Sequence, residues 1–281
     1  MNTQLIHNLP FDFFQNNHFD CAIYFYNTQQ SSKNIPVTFT HNVLCFLLNG
    51  HKEVISNQNN ISIQNDQFFL LQSGNSLMTE RLIGDSGYNS ILFFFSDHFL
   101  NEILSKKQIE LPKTMQSNQT VLNIHKDTYI NLFEKSLLLL KNEFNKAPYL
   151  TSIKLEEILF YLLSKEPERI TNFFKNTLSR HKNKSIKDII QQYEDSHLTI
   201  EELAFLSNMS ISTFKRKFAE IYQISPKKYF ISKRMEKARN ELILNKRPSD
   251  LYHELGYENL SAFSNEFKKY YGVSPKNFKM D

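Results

Sequence analysis

Between residues 35 and 95 the chain alternates short apolar runs with turn residues. Val37–Leu48 is rich in β-branched and aromatic side chains, and Asn49-Gly50 is a two-residue hairpin signal leading into His51–Ser56. Further short strands are predicted at Ile61–Ile63, Gln67–Gln72, Leu77–Ile83 and Tyr88–Phe95, separated by Ser73-Gly74-Asn75 and by residues 84–87. Short strands at near-regular spacing predict a small antiparallel barrel or sandwich.

The period then changes. Ser96 or Asp97 caps a helix running to Leu104, and Val121–Ile124 reads as one more strand. Ile130, Phe133, Leu137, Leu140 and Phe144 recur at helical spacing across 127–144. After Pro148 the pattern resumes over Thr151–Ser164 through Ile153, Ile158, Leu159 and Leu162. Two such helices in succession make a hairpin that packs on the barrel, with an outer face open to a second protomer. The polar, basic stretch at 176–184 reads as a linker, and everything beyond it reads as helix.

Within this helical region a single stretch is written twice. SISTFKRKFAEIYQISPKKYF at 210–230 is echoed by NLSAFSNEFKKYYGVSPKNFK at 259–279, position for position 49 residues later. Phe214, Phe218, Pro226 and Tyr229 meet Phe263, Phe267, Pro275 and Phe278, while the polar residues change. Each copy has a helix-turn-helix layout. In the first, Thr199 and Glu202 form a capping box, with Ile200, Leu203, Ala204 and Leu206 inward. Ser210 caps a second helix with Ile211, Phe214, Phe218 and Ile221 inside, and Ser225-Pro226 starts another. In the second copy a helix near Ser249–Leu255 is followed by an Asn259-capped helix with Leu260, Phe263, Phe267 and Tyr270 inward. A helix over Pro226–Leu244, with Ile231, Met235, Ala238 and Leu242 on one face, joins the copies.

The division has a physical reason. A shared core keeps its apolar residues, whereas two helices entering successive major-groove segments must present different side chains to different bases. Ser212, Thr213, Lys215 and Arg216 on the first, and Ser261, Ala262, Ser264 and Asn265 on the second, are the candidate base-contacting residues. Lys215 and Arg216 suit guanine O6 and N7; Asn265 suits adenine. Ser261, Ala262 and Ser264 are short, so the second helix reads less stringently. Lys217, Lys227, Lys228, Lys268 and Lys269 are candidates for phosphates. Arg234 holds either a carboxylate within the domain or a phosphate.

Charge agrees with this placing. Residues 181–281 carry 18 Lys and Arg against 13 Asp and Glu, while the preceding 180 are near neutral, with 15 against 16. A basic third meets a polyanion. Only Cys21 and Cys45 are present, which fits a reduced cytoplasm. The start has no basic segment followed by an apolar core, so no signal peptide is expected, and no apolar run approaches the ~20 residues of a membrane span. His41 and His51 lie in the predicted barrel, but His51-Lys52-Glu53 lacks the His-x-His of a metal-binding cupin, and both read as structural. No cofactor and no catalytic set is expected. Phe93, Phe94 and Phe95 read as barrel and interface core.

Residues 185–279 resemble the DNA-binding domain of AraC/XylS-type transcription regulators, through LTIEELAFLSNMSISTFKRKFAEIYQISPKKYF, RMEKA at 234–238, and LGYENLSAFSNEFKKYYGVSPKNF. The resemblance implies an α+β protein: an N-terminal cupin-like antiparallel β-barrel with a helical hairpin (1–175), the linker, and an all-α domain of two helix-turn-helix units joined by a helix (185–281). It implies a non-enzymatic activator that binds double-stranded promoter DNA and RNA polymerase. Its N-terminal domain would sense a small-molecule or protein effector, or dimerise. The chain departs from the family at Tyr252, where a small residue is usual, and at Pro248, where a β-branched one is; Tyr252 must repack its unit. Two other classes compete: a cupin-type metalloenzyme with an attached DNA module, and a protein-interaction module.

Overall fold

The computed structural model describes residues 6–14, 19–84, 87–112, 119–179 and 186–278. The chain divides into two compact units, Met1–Lys184 and Ser185–Asp281.

The N-terminal unit contains β1 (His7–Leu9), β2 (Cys21–Thr28), β3 (Ser32–Phe39), β4 (Asn42–Asn49), β5 (His51–Ser56), β6 (Asn60–Ile63), β7 (Gln67–Leu71), β8 (Gly74–Arg81), β9 (Tyr88–Phe95) and β10 (Val121–His125). They form two five-stranded sheets in the orders β1-β3-β8-β5-β6 and β10-β7-β4-β9-β2. Among the described residues every pairing is antiparallel except β1 with β3.

The expected strand Val37–Leu48 is two strands, because the chain changes sheet at Thr40-His41. Asn42 pins that corner: its amide donates to the Phe95 carbonyl and to Asp97, and its side-chain oxygen accepts from Ser73 N–H. The second sheet is covered on both faces, which is why β4 and β9 read as continuous apolar runs. Phe94, Cys45 and Phe69 face the first sheet; Phe93 and Phe95 face the helices. All three of Phe93–Phe95 are core.

Four helices cover that outer face. Ser96 caps α1 (Asp97–Lys106) and Asp127 caps α2 (Thr128–Leu139); α3 (Tyr149–Lys165) and α4 (Pro167–Leu178) follow. α2 ends at Leu139 rather than running through 144, although Phe144 is still buried. α4 buries Ile170, Phe173 and Phe174 and extends into the stretch read as linker, with Asn176 and Thr177 buried. Residues 180–184 of that linker, and Asp85-Ser86 of the predicted turn, lie outside the described residues. On α2 and α3, Leu132, Leu139, Tyr149 and Ile153 are exposed. No described helix is long and apolar enough to cross a membrane.

Burial pushes the thiols of Cys21 and Cys45 up to about 12. Both cysteines therefore stay unlabelled by a thiol-disulfide reagent at pH 8 until denaturant is added; fast labelling of the native chain contradicts this.

The C-terminal unit is α5 (Ile186–Tyr193), α6 (Ile200–Leu206), α7 (Ile211–Tyr222), α8 (Pro226–Ile243), α9 (Pro248–Glu254), α10 (Leu260–Tyr271) and a 3-10 turn at Pro275–Asn277.

Candidate nucleic-acid interface

The local signals produce the helices they announce. Thr199 Oγ1 accepts from Glu202 N–H at 3.1 Å while Glu202 accepts from Thr199 N–H at 2.7 Å, closing the capping box of α6. Ser210 accepts from Thr213 N–H to start α7, and Asn259 accepts from Ala262 N–H to start α10. Both helices end in a left-handed residue, Gln223 and Gly272. α9 starts at Pro248, in the first turn where the missing N–H leaves no bond unmade.

Packing repeats with the sequence. Phe214 and Phe218 sit 5.9 Å apart by ring centroids, Phe263 and Phe267 5.7 Å apart, and all four are fully buried. Phe218 meets Tyr229 edge-on at 5.3 Å, and Phe267 meets Phe278 edge-on at 5.4 Å. Tyr252 packs half-buried against the second of these cores. The first residues of both helices depart from expectation. Ile211 and Leu260 lie before the first full turn and are 41% and 39% exposed. Tyr270 is also exposed; Tyr271, four residues beyond Phe267, takes the inner place.

With Phe214 and Phe218 inward, Ser212, Lys215 and Arg216 are exposed on the other side of α7, and Thr213 is half-buried beside its cap. Ser261, Ala262 and Asn265 are exposed on α10, with Ser264 half-buried. Lys217, Lys227, Lys228, Lys268 and Lys269 are all exposed. Arg216 donates to Glu220 at 2.7 Å, one turn along the helix, in a solvent-exposed pair. Of the two partners open to Arg234, no carboxylate pairs with it among the described residues. Its guanidinium lies over the Tyr257 ring at 5.4 Å, while Glu194 pairs with Tyr229 and Lys233, and Glu254 with Lys246.

The N-terminal unit holds a cavity of about 530 Å³ with both sheets in its wall. Val37, Met78 and Phe69 give it apolar surface; Lys52, Glu80 and Tyr26 give it polarity. Lys52 Nζ donates to Glu80 at 2.5 Å, and Tyr26 donates to the other Glu80 oxygen at 3.1 Å. Burial, followed by the Glu80 charge, pushes the Tyr26 phenol up, so it stays a donor. Sequence reading missed this trio. The available signal was strand parity: Lys52 shares its face with Val54, Glu80 shares its face with Met78, and Lys52 pairs directly with Glu80 across β5 and β8. His41 and His51 are satisfied elsewhere, on the Phe19 carbonyl and on Ser62. Among the described residues no three His, Cys, Asp or Glu side chains converge to hold a metal ion.

A model of the ExsA N-terminal regulatory domain matches residues 42–173, and a helix-turn-helix domain model matches 203–280. The chain is 24% identical over 280 residues to the Msm operon regulatory protein of Streptococcus mutans, spanning 95% of each. It is 26% identical over 137 residues to the virulence regulon transcriptional activator VirF of Yersinia enterocolitica, 47% of this chain and 49% of that one. Among solved structures, a point variant of apo ToxT from Vibrio cholerae aligns with 93% of this chain and 97% of its own, at 11% identity and a TM-score of 0.42.

Proposed function

The chain belongs to the AraC/XylS-type transcription regulators, which bind DNA through helix-turn-helix units, and we propose that it activates transcription by placing α7 and α10 in two successive major-groove segments of one promoter site. The observation that carries this reading is the twinned core beneath two differing outward faces. Ser212, Thr213, Lys215 and Arg216 read bases in one segment; Ser261, Ala262, Ser264 and Asn265 read the other. Lys217, Lys227, Lys228, Lys268 and Lys269 meet phosphates. The 18 residues of α8 span about 27 Å, commensurate with the ~34 Å between groove entries on one face of B-DNA. RNA polymerase is the partner that activation requires, in the cytoplasm, and the chain itself performs no catalysis.

The N-terminal unit supplies regulation. Its cavity suits a small molecule that contacts apolar walls and the Lys52–Glu80–Tyr26 group, and such an effector acts only through different affinity for two arrangements of the chain. The exposed face of α2 and α3 receives a second copy of the chain.

Footprinting on a selected promoter fragment tests the reading: two protected segments one helical turn apart are expected for each chain. Five phosphate contacts give a log–log salt slope of about −4.5, at about −0.9 each. Protection of a single segment, or a slope near zero, rejects it.

A further inference from the structure

The second helix-turn-helix pair is gripped at two adjacent residues of its turn. Gly256 stands 48 residues after Asn208, and both are left-handed, with φ of 76° and 53°. Asparagine tolerates that conformation, as Asn208 does, so backbone shape alone does not call for glycine at 256. Space does. A Cβ on Gly256 would lie 2.6 Å from Nδ1 of His197 and 3.1 Å from its Cε1. His197 belongs to the loop between α5 and α6, which leads into the first pair.

The neighbouring residue is gripped as well. The Arg234 guanidinium of α8 covers the Tyr257 ring, and its Nε is buried without a hydrogen-bond partner. An arginine so placed is drawn to the ring face by a cation–π attraction. The Tyr257 hydroxyl in turn donates to Glu266 on α10, the residue after Asn265. Contacts from the loop that enters the first pair and from α8 thus reach the segment that leads into α10.

These contacts have a mechanical meaning. α8 gives Tyr229 to the aromatic cluster around Phe218, and Met235 and Ala238 to the core around Phe263. Two cores attached at different points along one helix change their mutual angle with any change in that helix's curvature. A contact lying away from the helix axis resists such bending.

We propose that His197 seated on Gly256, together with Arg234 over the Tyr257 ring, forms a clasp that fixes α10 relative to α7 and so determines which spacing of two half-sites the chain accepts. The four residues are positioning residues. The proposal rests on the two-helix reading of DNA above. One base pair inserted between half-sites moves the second by about 3.4 Å and rotates it by about 34°, which a fixed clasp does not follow.

The test uses the full chain with His197→Ala, Gly256→Asn, their double variant, and Arg234→Lys, which keeps the charge but replaces the broad guanidinium over the ring with a compact ammonium. Each is titrated on duplexes carrying the footprinted segments at native spacing and with one base pair added or removed. The unmodified chain prefers native spacing by about tenfold. Each single variant lowers that ratio about fivefold, and the His197/Gly256 double variant lowers it no further than either single one, since both remove one contact. Equal loss at every spacing would mark a merely structural role and overturn the proposal, as would multiplicative effects in the double variant. A flat profile for the unmodified chain overturns the two-helix reading and the spacing role with it. Thermal unfolding without DNA then judges the contact alone: non-additive midpoint shifts for His197 and Gly256 uphold it, and additive shifts dismiss it.

Discussion

Replacing Glu80 by leucine while Lys52 stays lowers the stability of the N-terminal unit by about 3–5 kcal/mol. The two side chains are only 11% and 10% exposed and lie opposite one another between β5 and β8. With Glu80 gone, the ammonium has lost its counter-charge yet is still largely withdrawn from water, and Tyr26 loses its acceptor. Replacing both partners, Lys52→Met with Glu80→Leu, costs far less and is near neutral, because no charge is left stranded. Calorimetric unfolding of the full chain, following the transition of this unit, compares the two variants with the unmodified protein. Equal loss in the single and double variants would show that packing, and not the unpaired charge, sets the cost. The same comparison bears on function. The pair gives the cavity its polar wall, so the double variant is expected to fold and to lose any response to an effector that hydrogen-bonds there.

Arg216→Ala weakens binding at the cognate site by about 1–3 kcal/mol and relaxes base preference at one position, leaving nonspecific binding nearly unchanged. Its bond to Glu220 does not oppose this role. An exposed i,i+4 pair is worth about 0.3–0.5 kcal/mol, less than a bidentate contact to guanine gives. Lys269→Ala should behave differently, weakening all sequences alike and making the salt slope shallower by about 0.9. Binding to a randomised duplex pool at two salt concentrations separates the patterns. If Arg216→Ala lowers affinity uniformly and leaves the selected sequence unaltered, Arg216 contacts phosphate and is no reader of bases.

Local chemistry is what the linear order makes legible. A cap acts within three or four residues, so Thr199 with Glu202, Ser210, Ser225 and Asn259 announce their helices without help from the rest of the molecule. Helical periodicity likewise identifies Phe214, Phe218, Phe263 and Phe267 as core, and leaves Lys215, Arg216 and Asn265 on the outside. It is less secure at helix ends, where Ile211 and Leu260 begin their helices and have no preceding turn to cover them. It also confused Tyr270 with Tyr271, since both spacings from Phe267 suit an inner face. In the N-terminal unit β2 escaped notice because its residues are nearly all half-buried and lack clean alternation. α4 escaped because its polar surroundings resembled a linker.

The repeated helix-turn-helix pattern, its caps, its inner and outer faces and the strand-rich character of the first unit are thus all written in the linear order of residues. These depend on neighbours within a turn or an alternation. The folded chain is needed to bring Lys52 to Glu80 across 28 residues, to carry the chain between sheets at Thr40-His41, and to rest His197 on Gly256 across 59. Such contacts depend on how strands register and how helices close on one another, and a charged, polar or glycine residue looks the same in sequence whether solvent or a partner lies beside it.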